Sequence, residues 1–311
     1  MHPVLFTIPD LPFVDLPFLP FPVRAFGLML AVGFLVGVHL AGRIARRYGD
    51  DPEGDPERLS RVGVAVLIGI VLGARLFYVI VEQARHWADS GGKDFLGDPA
   101  SILAVWEGGM VMYGGLFGAV LFGCRSALKQ GMRPLAALDV GLTGGMVGQS
   151  IGRWGCLLVG DDYGRVIQSE SLRELPFPIT LRVPEEIPEH SLFEPHLAGE
   201  VLWGTQVWMS LNALVIAGIA YWLLGRRRYP GHTTLWIVFL YAITRFVIEG
   251  FRGDALRGVW FAGLSTSQLI SIVAAGVAGY LLWRDRHRRE PMPGVPAAAD
   301  PPAGPPEVAR P

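Results

Sequence analysis

Arg75, Arg153, Arg245 and Glu249 are ionisable residues inside otherwise apolar stretches of this 311-residue chain, with Arg252 just beyond the last pair. An ionised side chain within a bilayer costs a few kcal/mol or more, so each is a candidate for function. Arg245 and Glu249 stand four apart, the spacing at which a carboxylate holds a guanidinium on one helical face. The remaining guanidinium forks match the oxygens of a phosphate. This chemistry points to an anionic phospholipid headgroup. The structural alternative is that each arginine snorkels to the interface or pairs within the bundle. Asp139 is a further intramembrane carboxylate, but it lies toward the opposite edge and the sequence offers it no partner, so a structural role is expected. The seven histidines show no ligand-like spacing, and no metal or other cofactor is expected.

The elements that must carry these residues are long apolar blocks. Hydrophobic residues make up 51% of the chain and charged residues 18%, which argues against both a disordered chain and a soluble globule. A net charge of −1 points to no nucleic-acid partner. Seven segments are long enough to cross a bilayer: 25–42, 62–82, 108–124, 135–158, 201–224, 233–250 and 263–283. The expected fold is an all-α polytopic membrane protein with about seven transmembrane helices. The third and fourth spans are rich in glycine, so both are expected inside the bundle.

Of the 27 basic residues, 25 are arginine, and their distribution sets the topology. One set of loops, beginning with Arg43, Arg46 and Arg47, carries 15; the alternate set carries 8. The basic side faces the cytoplasm. The N-terminal segment 1–24 is therefore expected outside, and the C-terminus inside. Residues 1–23 lack the basic start of a signal peptide, so the first span is expected to be retained. The acidic 159–200 loop is expected to form a small periplasmic cap, with a short strand in 178–183. Residues 286–311 are expected to be a disordered cytoplasmic tail. With this topology Cys124 and Cys156 close their spans on opposite faces and cannot pair. The lipobox-like run Leu121-Phe122-Gly123-Cys124 is read as chance. On the expected topology Arg75, Arg153, Arg245 and Glu249 lie about 18–27 Å from the inner edge, and Arg252 just outside. Three arginines and a carboxylate from three helices are thus expected to converge in the outer leaflet.

The run Gly152-Arg153-Trp154-Gly155-Cys156 through Asp161-Asp162-Tyr163-Gly164 resembles the signature of prolipoprotein diacylglyceryl transferases. So, in order, do Gly73-Ala74-Arg75, Trp106-Glu107-Gly108-Gly109-Met110, Tyr113-Gly114-Gly115, Arg245 to Arg252, and Ser267-Gln268-Leu269. The resemblance covers roughly residues 20–285. It implies a bacterial inner-membrane enzyme that moves the diacylglyceryl group of phosphatidylglycerol to the lipobox cysteine of a preprolipoprotein, releasing glycerol phosphate. It further implies that Arg153 and Arg245 bind the headgroup, that Glu249 orients Arg245, and that Arg75 and Arg252 add supporting charge. Gly152, Gly155, Gly164, Asp161, Gly114, Gly115 and Gln268 are the implied lipid-lining positions.

The chain departs from the family pattern where proton or protein handling is implied. Tyr113 replaces a histidine, Cys156 and Val159 replace asparagines, Asp161 replaces a glutamate, and Phe26 replaces a tyrosine. In Gly204-Thr205-Gln206-Val207-Trp208-Met209, Met209 stands where the pattern has a carboxylate. Tyr113 is the candidate catalytic proton carrier, against an ordinary pKa of about 10 for tyrosine and about 6.5 for histidine. Cys156 is either a thiol beside the arginines or a small apolar filler. These departures leave a second reading open: a non-catalytic phospholipid-binding paralogue, or a transferase acting on another lipid-linked anion. An anion channel or transporter is the third, disfavoured by the lack of an internal repeat.

Overall fold

The computed structural model describes residues 2–8, 21–89, 91–104, 108–253 and 263–295. Trp106 and Glu107 of the resemblance, Arg257 of the basic residues, and 296–311 of the tail lie outside the described residues. Two short strands open the chain, β1 (Val4–Ile8) antiparallel to β2 (Phe21–Arg24), an arrangement the sequence did not suggest. The long helices follow: α1 (Ala25–Tyr48), α2 (Asp55–Asp89), α3 (Met112–Lys129) and α4 (Pro134–Val159). A one-turn α5 (Glu170–Arg173) and the strand pair β3 (Thr180–Arg182) and β4 (Val201–Trp203) fill the long loop. The chain then returns through α6 (Thr205–Leu224), α7 (His232–Glu249) and α8 (Thr266–Arg284).

Each apolar segment has its helix, with shifted ends. Residues 108–111 precede α3 because Gly108 and Gly109 take φ of 84° and 72°, outside helical space. Residues 201–203 pair as β4 before α6 begins. Among the described residues, α1, α2, α6 and α8 are long and apolar enough to cross a membrane. Large apolar side chains such as Leu35, Val215 and Val273 point outward, at 66%, 60% and 64% exposed. The molecule is a mostly helical membrane protein.

Glycines set the closest helix pairs. Gly33 and Gly37 of α1 meet Gly144 and Gly148 of α4; a Cβ at Gly33 would stand 2.4 Å from the Gly148 carbonyl oxygen. Gly69 and Gly73 of α2 meet Gly118 and Gly114 of α3, with a Cβ at Gly73 only 2.2 Å from the Gly114 oxygen. Each helix thus spends a small-xxx-small stripe on one partner, where dispersion and not the hydrophobic effect holds the backbones together. α4 also packs on α6 and α7 and is central. For α3 the expectation of an interior position fails. Its glycines serve α2 alone, and Leu116, Phe117, Val120 and Leu121 on its other face are exposed.

Asp139 has the structural role expected of it, but with partners the sequence did not offer, and it is fully buried. It accepts from the Gly231 N–H (2.9 Å), the Thr234 N–H (2.8 Å) and the Thr234 hydroxyl (2.8 Å). Helix α7 has no side-chain cap of its own, so Asp139 caps its N-terminus from α4. The partners lie 92 and 95 residues away, beyond the reach of local pattern reading. Arg227, also buried, stands 4.0 Å from the same carboxylate. The segment after α8, expected to be disordered from 286, is packed through 295. The Glu290 N–H donates to Arg228 O (2.7 Å), Arg227 donates to Pro293 O (3.3 Å), and Met292 is buried.

Residues 160–204 pack around Tyr163, Leu181, Val183, Phe193, Leu197 and Leu202, a core shared with Leu157 of α4 and Val207 of α6. The expected strand is β3, paired Thr180 to Trp203 through Arg182 to Val201 with β4.

Candidate functional site

The site is built at the C-terminal end of α4. Gly160, at φ 80°, ends the helix in the left-handed conformation, and the N–H groups of Gly160 and Asp161 both return to Cys156 O (2.9 Å each). This turn sends Asp161 and Asp162 back over the last helical turns. Asp162 itself has φ 55°, a region short polar residues tolerate better than others. Its conformation is held from several sides: its N–H donates to Asp161 Oδ1 (2.9 Å), Thr205 Oγ1 donates to its carbonyl (2.9 Å), and Gln206 donates to Asp161 O (3.0 Å). The Asp162 carboxylate thereby reaches Arg153, nine residues earlier, and accepts from its Nη1.

A second set of contacts brings in the end of α7. Gly164 and Arg252 form an antiparallel bridge, flanked by Arg165 N–H to Phe251 O (2.8 Å) and Gly253 N–H to Tyr163 O (3.0 Å). The bridge presents Arg252 to the other oxygen of Asp162. Glu249 pairs with Arg245 at 2.8 Å and stands 3.8 Å from Arg252 Nε. Ser265, the N-cap of α8, donates its hydroxyl to Glu249 at 3.1 Å. The result is one chain of charges: Arg153, Asp162, Arg252, Glu249, Arg245. Three guanidiniums and two carboxylates are thus joined in one network among the described residues. Arg245, Arg252, Asp162 and Glu249 are almost fully enclosed; Arg153 retains 18% of its side-chain surface.

Arg245 also donates to the sulfur of Met209 (3.3 Å), which is buried. The position where the family pattern has a carboxylate thus touches the network, and here it brings a thioether and no negative charge.

The other sequence candidates fall into different places. Arg75 does not join the network. It donates to Ser101 O (2.6 Å), Ile102 O (2.9 Å), Gly108 O (2.6 Å) and Gly109 O (3.1 Å), so it pins the segment entering α3. Of the three arginines expected to converge with Glu249, Arg153 and Arg245 do so and Arg75 does not; Arg252, expected just beyond, takes the third place. Tyr113, in the first turn of α3, is 44% exposed and makes no hydrogen bond among the described residues. Gly152 has open space where a Cβ would be, whereas Gly155 lies against Phe26 and Met29 of α1. Gly114 meets Gly73 and Phe77, and Gly115 makes ordinary contact with α2. At Gly164 a Cβ would stand 2.3 Å from Trp203 O, so that glycine lets β4 approach. Gln268 completes the capping box of α8 with Ser265. Cys156 is buried with its sulfur 4.0 Å from Arg153 Nη1.

Asp162 and Ser265 are the members that the sequence did not single out. Asp162 was legible in principle, because Gly160 marks a helix end after which the chain doubles back. The adjacent Asp161 took the motif position and masked it.

Comparison with known proteins gives a consistent result. The family described as prolipoprotein diacylglyceryl transferase matches residues 14–284. A phosphatidylglycerol–prolipoprotein diacylglyceryl transferase of a Nostoc species is 30% identical over 304 residues, covering 95% of this chain and 96% of that protein. Enzymes of the same name from Synechococcus elongatus and Streptococcus agalactiae are 30% and 28% identical, over 89% and 82% of this chain and 88% of each relative.

Proposed function

The chain belongs to the prolipoprotein diacylglyceryl transferase family, and on that premise we propose that it transfers the diacylglyceryl group of phosphatidylglycerol to the lipobox cysteine thiol of preprolipoproteins. A C–S bond forms at the glyceryl carbon, the C–O bond to phosphate breaks, and glycerol phosphate leaves with the electron pair. The departing phosphate gathers negative charge, and the site's chief task is to stabilise it.

The observation that carries the reading is the gathering of three guanidiniums, Arg153, Arg245 and Arg252, at one place, each ordered by Asp162 or Glu249. Arg153, the most accessible member beside the open flank of Gly152, meets the phosphate first. Arg245, held by Glu249, supplies the second guanidinium. Asp162 fixes Arg153 and Arg252, so the forks need no reorganisation when the lipid arrives. Arg75 positions the entry to α3, which presents Tyr113. The Tyr113 hydroxyl relays the thiol proton to the leaving phosphate.

In this reading the seven long helices all cross the bacterial inner membrane, with the 160–204 module as a periplasmic cap. The N-terminus is periplasmic and the C-terminus cytoplasmic, as the basic loops favour. The test is incubation of the purified full chain with phosphatidylglycerol and a lipobox peptide. Release of glycerol phosphate coupled to peptide lipidation is expected; a folded protein that gives neither overturns the activity.

A further inference from the structure

A cavity of about 400 Å³ opens at the end of the molecule opposite the charge network, between the C-terminal ends of α6 and α8 and the start of α7. His232 on its wall precedes Arg245 by thirteen residues along α7, which separates the two regions by about 20 Å. Arg226, Arg228 and Arg286 line it, and among the described residues none of the three is paired with a carboxylate. The acidic residues nearest in sequence are engaged elsewhere, Asp285 by Arg284 and Glu290 by Arg288. Arg226 lies flat over the Trp222 ring at 4.2 Å, and Arg228 donates to the Arg286 carbonyl at 2.8 Å, which ties the α6–α7 turn to the end of α8. Three like charges therefore share one concave wall, and among the described residues no carboxylate forms a salt bridge with them, although Asp285 lies near enough to act on Tyr229.

Two neutral groups on the same wall are incomplete. Tyr229 Oη and His232 Nδ1 are buried with no hydrogen-bond partner. Both atoms have almost no accessible surface, so they lie behind the wall's surface and the arginines alone face the cavity with polar groups. The rest of the lining is apolar, from Trp222, Trp236 and Leu282. Tryptophans at this level mark a membrane–water interface.

We propose that this cavity binds an anionic phospholipid of the cytoplasmic leaflet. The guanidiniums of Arg226, Arg228 and Arg286 hold the phosphate, and the acyl chains run along Trp222 and Trp236. Basic pockets between helices on the cytoplasmic side suit such headgroups. The proposal rests on the membrane orientation given above, not on the transfer reaction.

The test uses the full chain in neutral detergent, with lipid retention read by native mass spectrometry. Phosphatidylglycerol and phosphatidylcholine are the probes, and inorganic phosphate is the control for a headgroup-independent anion site. Wild type should retain phosphatidylglycerol over phosphatidylcholine. The variant R226Q/R228Q/R286Q should lose about tenfold in retention of the second phosphatidylglycerol, the one not held at the charge network, yet keep transfer activity, and R226K/R228K/R286K should keep most of the preference. R153Q should lose transfer and weaken the lipid at the charge network but keep this second lipid and its labelling within 222–236 or 282–286, so failure of the transfer reading and failure of this one give different patterns. A photoactivatable phosphatidylglycerol should also label wild type within 222–236 or 282–286. Equal retention by the folded glutamine variant, equal retention of phosphatidylcholine, displacement by millimolar inorganic phosphate, or labelling confined to other segments would each overturn the proposal.

Discussion

Asp162 accepts from two guanidiniums at a backbone φ of 55°, so the residue that orders the site also sits in sparsely populated backbone space. Conformations of this kind cost on the order of 1–3 kcal/mol and persist where the surroundings over-determine them. Here Thr205, Gln206 and Asp161 do so. Arg153 is the accessible partner. Arg153→Ala should lower transfer about 10²–10³-fold without preventing membrane insertion, as expected for removing one preorganised donor to a developing anion. Arg153→Lys should recover less than about tenfold, because the planar fork is lost. Steady-state turnover with lipobox peptide checks both, and near-normal turnover of Arg153→Ala would remove the residue from the mechanism. Tyr113→Phe deletes a single hydroxyl on an exposed ring. Proton transfer by a positioned side chain contributes about 10²–10⁴-fold, so turnover should fall by at least about 10²; unchanged turnover would assign the proton elsewhere.

Helix pairing is decided by glycines that carry no chemistry. Gly73 leaves no room for a side chain against the Gly114 carbonyl, while Gly141 on α4 has open space around its Cβ position. Gly73→Leu should therefore separate α2 from α3 and lower the Tm of the detergent-solubilised protein sharply. Gly141→Ala should leave Tm unchanged or raise it slightly. At the start of α8, the capping box of Ser265 and Gln268 secures the helix whose N-cap also touches Glu249. Ser265→Ala should cost about 1 kcal/mol of stability, and it should also loosen Glu249, read as a lower transfer rate at saturating lipid.

At the scale of the whole molecule, charge is sorted to two ends that do different work. One end holds the five-residue network; the other holds the buried Asp139–Arg227 pair, the Asp50–Arg133 pair and the basic cavity. Asp139→Ala would leave Arg227 buried without its counter-charge and α7 without its cap, at a cost of about 3–5 kcal/mol; a denaturation series in detergent reads it. The Asp50 carboxyl is held below the usual carboxylate range, chiefly by the hydrogen bond from Arg133. A depressed folded pKa stabilises the protein fully above the unfolded value of about 3.9 and loses that contribution as pH falls through the lower folded value. For an exposed pair the contribution is about 0.2–1 kcal/mol. The Tm difference between wild type and Asp50→Asn should thus be constant from pH 5 to 7 and shrink below about pH 4.

Composition and pattern were enough to determine the class and the family: long apolar blocks forbid a soluble fold, and ordered motif blocks around Arg153 and Arg245 are local in sequence. The Arg245–Glu249 pair was legible for the same reason, since one helical turn fixes it. Partners separated by many residues were not legible. Asp139 meets Gly231 and Thr234, Arg252 meets Asp162, and Arg75 meets the carbonyls of 101–109 only because helix packing and loop returns bring them together. A residue's type and depth state what it can bind, but two groups share a ligand only if the backbone brings them within a few ångströms, and that distance is set by the tertiary fold.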